Sequence, residues 1–431
     1  MDKIIKMNST IQTEGKFRIY QSNEFLIVIH PDYDKYLQIT ISNNTCMEIT
    51  KETFSLLENL TETKYQPHAI LGIMKLEKVS YLLIVTGYEL IGSILKKEIF
   101  TVKDVEFVCL RDNKEYKDSQ EVKYYLDGIK ALFNTGFYYS FDYDLSTSYQ
   151  KSKKQKSDSH LFINESSIYN FNYNIKRDFI EAKINQIFSV NMINGYVGIS
   201  NNIDVSDEEV VLLLISRRSY QMAGTLFNCK GLDEQGNSAN FVETEQIMKL
   251  GHKTFSFLIY RGSQPLLIKN SNLDLLYSVT LVEPPNEKKT TTSINKHINI
   301  ICEKEKFNIF FLNLMSDSIK DECFLNKNIQ NNLFPTETST GGLCKYLKFD
   351  FNNCFETNDF STLENFVNTF INYQNANIGY FCEDLKFKSS ILQKGVLRTN
   401  CMNSLDRTNV MQSAVCWKIL DIQVLYYFNL A

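Results

Sequence analysis

The chain of 431 residues lacks several features that would direct a reading of it. Its 10 cysteines include no C-x-x-C pair and no regular spacing, and its 5 histidines, from His30 to His297, form no ligand cluster with them. That argues against a structural zinc site or a disulfide framework, and no metal or other cofactor is expected. The thiols read instead as small buried apolar residues in a reducing compartment. No apolar run approaches the roughly 18 residues of a membrane span. The longest, at 81–85 and 210–215, read as strands, and residues 1–16 hold no apolar core of signal-peptide length, so the chain as given is expected to be soluble. Neither charge is in excess. A net charge of −4 and a pI of about 5.9 exclude bulk binding to nucleic acid and wholesale attraction to an anionic membrane, so any contact with phosphate must be local.

What is present is apolar and aromatic. At 43% hydrophobic, with 24 tyrosines and 30 phenylalanines, the chain is packed and globular and long enough for two or three cores. Strand-like runs at 25–29, 36–41, 81–85 and 105–110 are divided by polar turns such as 42–44. A helix follows, with Asp118 and Glu121 as its expected cap and Val122, Tyr125, Leu126, Ile129, Leu132 and Phe133 as its apolar stripe. Residues 146–160 are rich in Ser and Lys and read as a solvated linker. The expected organisation is an N-terminal strand-rich domain at 1–150, a linker at 151–160 and a second domain at 161–431 that looks short at its C-terminus.

In the second domain Val210 to Ile215 has the character of a central strand. Residues 226–232 and 239–244 read as strands paired across the turn 233–237, and 255–260 and 298–301 as further strands with a polar loop at 286–295. Ser361 with Glu364 is expected to cap a helix whose stripe is Leu363, Phe366, Val367, Phe370 and Ile371. The pattern predicts an α/β (α+β) fold, with a mixed sheet flanked by helices.

The stretch GVLRTNCMNSLDRTNVM, from Gly395 to Met411, carries the chemistry. Gly395 to Leu397 read as a buried strand, and Val410, Met411, Ala414 and Val415 recur at helical spacing, so Cys401 to Arg407 bridges a strand and a helix N-terminus. Unpaired backbone N–H groups at such a site bind a phosphate dianion. Arg407 can hold two phosphate oxygens with its planar fork. Cys401 is favoured as a thiolate by the helix dipole and the arginine, and Thr408 can hydrogen-bond it.

The block LRTNCMNSLDRTNVMQS resembles the catalytic signature of Sac-domain phosphoinositide phosphatases, R-T-N-C-x-D-C-L-D-R-T-N. Similar in the same order are AILGIMKL from Ala69, FYYSFDYDLSTSYQ from Phe137, SRRSYQMAGTLFNCKGLDEQGNSANFVETEQIM from Ser216 and the run Arg261 to Pro265. The resemblance implies a cysteine-dependent phosphatase that attacks an inositol monophosphate. Phosphatidylinositol 4-phosphate is the first candidate substrate and the 3-phosphate the second. Cys401, Arg407, Asp406 and Thr408 are then the expected catalytic residues, with Asp406 as proton donor. Met402, Asn403, Ser404, Leu405, Arg398 and Lys394 are the expected substrate contacts. Arg217, Arg218 and Arg261 become candidate phosphate contacts, and Asn240, Glu243 and Asp350 positions to watch. The resemblance also implies phosphoinositide headgroups on cytosolic membrane faces as partners, and a cytoplasmic location peripheral to the endoplasmic reticulum or Golgi.

Two positions depart from the signature: Asn403 replaces its Asp and Ser404 its second Cys. An amide cannot act as a general acid, so a rival expectation is a catalytically impaired Sac domain that binds phosphoinositides or protein partners without turnover. A protein tyrosine phosphatase fits the Cys-to-Arg spacing but not the other blocks.

Overall fold

A computed structural model describes residues 11–12, 14–77, 79–94, 96–110, 119–133, 135–154, 167–205, 208–223, 230–268, 287–302, 307–339, 344–357, 360–402 and 404–428. The chain forms two compact units, Met1–Thr147 with Lys151–Ile199, and Ser148–Gln150 with Ser200–Ala431. The division therefore falls later than the expected linker. Residues 146–150 are buried rather than solvated, and Tyr149–Lys154 is a short helix. Residues 155–160 of that linker lie outside the described residues.

The first unit opens with an antiparallel sheet of β1 Arg18–Gln21, β2 Phe25–His30, β3 Lys35–Thr40, β4 Cys46–Ile49 and β5 Thr61–Glu62, in the order β4-β3-β2-β1-β5. Alternation along β2 sends Leu26 and Val28 into one apolar cluster and Ile27 and Ile29 into another, so both faces are covered. Further strands follow: β6 Ala69–Lys75, β7 Ser80–Ile94, β8 Lys97–Cys109, β9 Phe137–Tyr139 and β10 Met192–Val205. Each pairs antiparallel with the next in sequence. Helix α1, Gln120–Leu132, is capped by Ser119, whose hydroxyl accepts the Val122 N–H at 3.2 Å. Asp118, the expected cap, lies outside the described residues. The helix packs through Val122, Leu126 and Ile129, while Tyr125 and Leu132 face solvent at 54% and 50% exposure, so its apolar stripe is narrower than expected.

The second unit holds the candidate site. Its first strands are β11 Glu208–Arg218, β12 Val242–Leu250 and β13 Lys253–Gly262, which run antiparallel. Then come β14 Asn308–Asn313, β15 Cys344–Lys348, β16 Phe381–Asp384, β17 Ser389–Ile391 and β18 Gly395–Asn400. The order is β15-β14-β18-β13-β12-β11, with β15, β14, β18 and β13 parallel to one another. The β16–β17 hairpin occupies the first half of the free side of β13, and β18 takes the second half. The helices are α2 Glu287–Cys302, α3 Lys320–Ser339, α4 Phe351–Thr357, α5 Ser361–Ile378 and α6 Asp406–Tyr427. The apolar core joins Phe255, Phe257, Leu312 and Leu397 of the sheet to the α5 stripe of Leu363, Phe366, Val367, Phe370 and Ile371, as the periodicity predicts. It also takes in Met411, Val415 and Ile419 of α6.

Two expectations are corrected here. The polar stretch after residue 286 and the expected strand 298–301 form the single helix α2, because Ile294, His297, Ile298 and Ile301 are buried at helical spacing. The turn at 233–237 forms, with Asp233 accepting the backbone N–H groups of Gln235 and Asn237, but among the described residues the pairing across it is the single bridge of Leu232 with Ser238, and residues 226–229 of the expected first strand lie outside the described residues. The strand begins instead at Val242 and pairs with β11 and β13.

Arg217 of β11 is fully buried and ion-paired with Glu243 and Glu245 of β12. Tyr260 donates to Glu243 at 2.7 Å, and Ser256 and the Tyr149 N–H donate to Glu245 at 2.7 and 2.8 Å. This network holds the middle of the sheet, so Arg217 and Glu243 serve the fold rather than a phosphate. Arg217→Leu should lower stability by about 3–5 kcal/mol, since it leaves two buried carboxylates without their cation. The urea midpoint of the full chain measures this, and an unchanged midpoint would mean that the carboxylates are satisfied by the hydroxyl and amide donors alone.

Candidate active site

Four parallel strands, β13, β18, β14 and β15, end on one side of the sheet, and the crevice beyond such ends is where α/β proteins place their ligands. Cys401 is the first residue past β18 and is 3% exposed. Six residues later Arg407 lies in the first turn of α6, whose leading N–H groups have no partner within the helix. Between them, Met402 and Leu405 are partly buried and Ser404 fully buried, with a left-handed φ of 55°. Asn403 lies outside the described residues. Asp406 is exposed at the helix start.

Arg407 is the most constrained group of the loop. Its Nη1 and Nη2 donate to the two carboxylate oxygens of Glu322 at 3.0 and 2.6 Å, and Nη1 also reaches the Leu314 carbonyl at 3.4 Å and Asn352 at 3.3 Å. Glu322, on the first turn of α3, is 4% exposed and also accepts the Ser316 N–H at 2.6 Å. Burial works against the Arg407 charge, but the Glu322 hydrogen bonds and the neighbouring Cys401 outweigh it and hold its pKa above the ordinary arginine value. A guanidinium has two forked edges, so gripping Glu322 through Nη1 and Nη2 leaves the Nε edge for a second anion.

The other expected residues divide. Thr408 is fully buried, and its hydroxyl donates to the Leu405 carbonyl at 2.8 Å, so it closes the first turn of α6 instead of serving the thiol. Arg398 cannot meet a headgroup from where it stands. Its side chain is fully buried, donating to Ser238, the Gly262 and Ser263 carbonyls and His297, and burial pushes its pKa down to about 9, although Cys401 opposes the shift. Lys394 precedes β18, at the opposite end of that strand from Cys401. At about 3.3 Å per residue this places it roughly 20 Å from the thiol.

Arg261 does reach the loop, donating to the Ser404 carbonyl at 2.6 Å. Burial lowers its pKa to about 10, with Cys401 opposing and Arg218 assisting. Arg218 donates to Asn240 at 3.4 Å. Asp350, just past β15, accepts the Ser316 hydroxyl at 2.9 Å and supports the connection into α3. Sequence reasoning missed Glu322 and Gln264. Gln264 donates to the Met402 carbonyl at 3.0 Å and was visible only as part of the block after Arg261. Glu322 had no signal beyond being an acid at a helix start.

Among the described residues no three His, Cys, Asp or Glu side chains gather as metal ligands, and no helix is long and apolar enough to cross a membrane. The strand end brings together a buried thiol, a clamped guanidinium and a helix start, groups whose chemistry can meet a tetrahedral anion. Comparison with known families finds that the model of the SacI homology domain matches residues 68–356. The chain belongs to this family. The match ends before Cys401, but alignments to individual relatives cover more of this Sac domain.

It is 29% identical over 360 residues to the phosphoinositide phosphatase SAC8 of Arabidopsis thaliana, covering 82% of this chain and 59% of the relative. It is 28% identical over 381 residues to the phosphatidylinositol-3-phosphatase SAC1-B of Danio rerio, covering 82% and 60%. With Synaptojanin-1 of Homo sapiens the identity is 27% over 376 residues, covering 83% and 22%. The chain thus spans three-fifths or less of the length of these curated relatives.

Glu322→Gln keeps the shape of the clamp and removes its charge. It should weaken inorganic phosphate about tenfold, the scale of one charge-assisted hydrogen bond. The readout is the phosphate concentration that half-protects Cys401 from iodoacetamide, and an unchanged value would show that the Leu314 carbonyl and Asn352 suffice to place Arg407.

Proposed function

We propose that this Sac domain hydrolyses the monophosphate of phosphatidylinositol phosphates through a phosphocysteine on Cys401. The observation that carries the reading is the meeting of the Cys401 thiol with the Glu322-clamped Arg407 at the start of α6. In the first step the thiolate forms a bond to phosphorus while the bond from phosphorus to the inositol oxygen breaks. The departing oxygen takes a proton from Asp406. In the second step water attacks phosphorus, the phosphorus–sulfur bond breaks, and Asp406 accepts the water proton as inorganic phosphate leaves. Arg407 and the loop N–H groups stabilise the charge on the transferring oxygens in both steps.

The ring position is proposed as the 4-phosphate, with the 3-phosphate next, the latter supported by the name of the Danio rerio relative. Headgroups on the cytosolic faces of the endoplasmic reticulum or Golgi are the proposed surface of action.

A second reading rests on Asn403. If the residue two places after the cysteine supplies the leaving-group proton, the amide removes a general acid worth about 10²–10⁴ in rate. The phosphate cradle would survive, and the chain would bind phosphoinositides without turning them over. Phosphate release from short-chain phosphatidylinositol 4-phosphate and 3-phosphate, without added metal, separates the two. The expected result is release by the wild type that disappears in Cys401→Ser and falls at least tenfold in Asp406→Asn. Release from Asn403→Asp but not from the wild type would establish the binder instead.

A further inference from the structure

The catalytic loop is tied at its carbonyls by the segment that continues β13. We infer that Arg261 and Gln264 are positioning residues that set the direction in which the loop's N–H groups point. The inference rests on the phosphatase reading of Cys401 and Arg407 and adds the source of the cradle's geometry.

A trans peptide is planar, and the C=O of one residue and the N–H of the next point in opposite directions. Arg261 Nη1 holds the Ser404 carbonyl at 2.6 Å, so the N–H of Leu405 is turned away from Arg261. The Thr408 hydroxyl and the Asn409 N–H hold the Leu405 carbonyl at 2.8 and 3.0 Å, so the N–H of Asp406 is turned away from the body of α6. At the start of the arc, Gln264 Nε2 holds the Met402 carbonyl at 3.0 Å. With the Ser404 and Leu405 carbonyls secured, the N–H groups of Leu405 and Asp406 have fixed directions for an anion, which would otherwise meet a mixture of donors and acceptors. Donors set in advance cost no reorganisation when charge arrives.

The anchors are themselves fixed. Gln264 is fully buried, and the Ser263 hydroxyl donates to its Oε1 at 2.5 Å, which assigns Nε2 as the donor to the loop. That hydroxyl accepts the Gly231 N–H at 2.9 Å, and the Ser263 N–H donates to the Ala239 carbonyl at 2.9 Å. The Ser263 carbonyl accepts from buried Arg398 at 2.5 Å. The Ser263 N–H, carbonyl and hydroxyl and both ends of the Gln264 amide are therefore committed, and the Met402 carbonyl is held from a point that has little freedom to shift. Gln264 is neutral, which separates positioning from the charge that Arg261 also contributes near Cys401.

The test uses the full chain and inorganic phosphate. Alkylation of Cys401 by iodoacetamide is followed by mass spectrometry of its peptide across a phosphate titration, beside the melting temperature and kcat and KM on short-chain phosphatidylinositol 4-phosphate. For Gln264→Leu and Arg261→Met the half-protecting phosphate concentration should rise about tenfold, the scale of one carbonyl hydrogen bond, with kcat reduced more than KM changes. Arg261→Lys, which keeps a donor and the charge, should recover most of the protection.

Wild-type protection in Gln264→Leu would overturn the inference while leaving the phosphatase reading in place. Should Gln264→Leu not fold, equal protection constants for wild type, Arg261→Lys and Arg261→Met would overturn it equally. A wild type that phosphate does not protect and that releases no phosphate would instead remove the reading of the site itself, and this inference with it.

Discussion

A fully buried guanidinium is tolerated only where acceptors converge on it, and Arg398 imposes that condition at the centre of the second unit. Its partners come from three separate stretches: the end of β13 through the Gly262 and Ser263 carbonyls, the turn before β12 through Ser238, and α2 through His297. His297 can accept because its Nδ1 is committed to the Gly236 carbonyl, while burial and the neighbouring arginine keep its pKa well below the ordinary histidine value. Gly262 is required there, since a Cβ would stand 2.8 Å from the Arg398 guanidinium. With β13 and β18 locked in register at Gly262 and Asn400, the residue that follows β18 has one place to go, and that residue is Cys401.

The same centre resolves an apparent conflict of charge. A chain with a net charge of −4 has no general attraction for anions, yet Arg261, Arg398 and Arg407 are all electrostatically coupled to Cys401. They lie at different depths and act differently. Arg398 anchors the strands, Arg261 holds the loop backbone, and Arg407, paired with Glu322, is the one whose remaining edge can meet a ligand. A small volume can therefore be strongly positive inside an acidic protein, without a basic surface around it.

The loop from Cys401 to Arg407 was legible in sequence because strand, arc and helix are contiguous, so Cys401, Arg407 and the α6 periodicity announce themselves within one window. The α5 stripe was legible for the same reason. Lys394 and Arg398 were misjudged because closeness along a strand is not closeness in space: the side chain at 398 points into the sheet's packing, and residue 394 sits a strand's length away. Glu322 and Gln264 could not be read locally, since their value comes from strand order, which brings β14, β18 and β13 side by side. The stretch at 298–301 was taken for a strand because four apolar-rich residues carry no period of their own. The burial of His297 and Ile294, one turn back, is what makes it helical.

The placement of Ser148 to Gln150 bears on how this protein can be divided. These residues precede most of the first unit's last segment, yet they belong to the second unit. There the Tyr149 hydroxyl meets Glu383 at 2.6 Å, and the Gln150 side chain accepts the Gln393 N–H at 2.9 Å. The backbone thus visits the second unit, returns to the first and crosses again near residue 200, so no single cut separates two complete halves. A fragment begun after the Ser- and Lys-rich stretch would leave Glu245, Glu383 and Gln393 each short of a partner in the unit that holds Cys401.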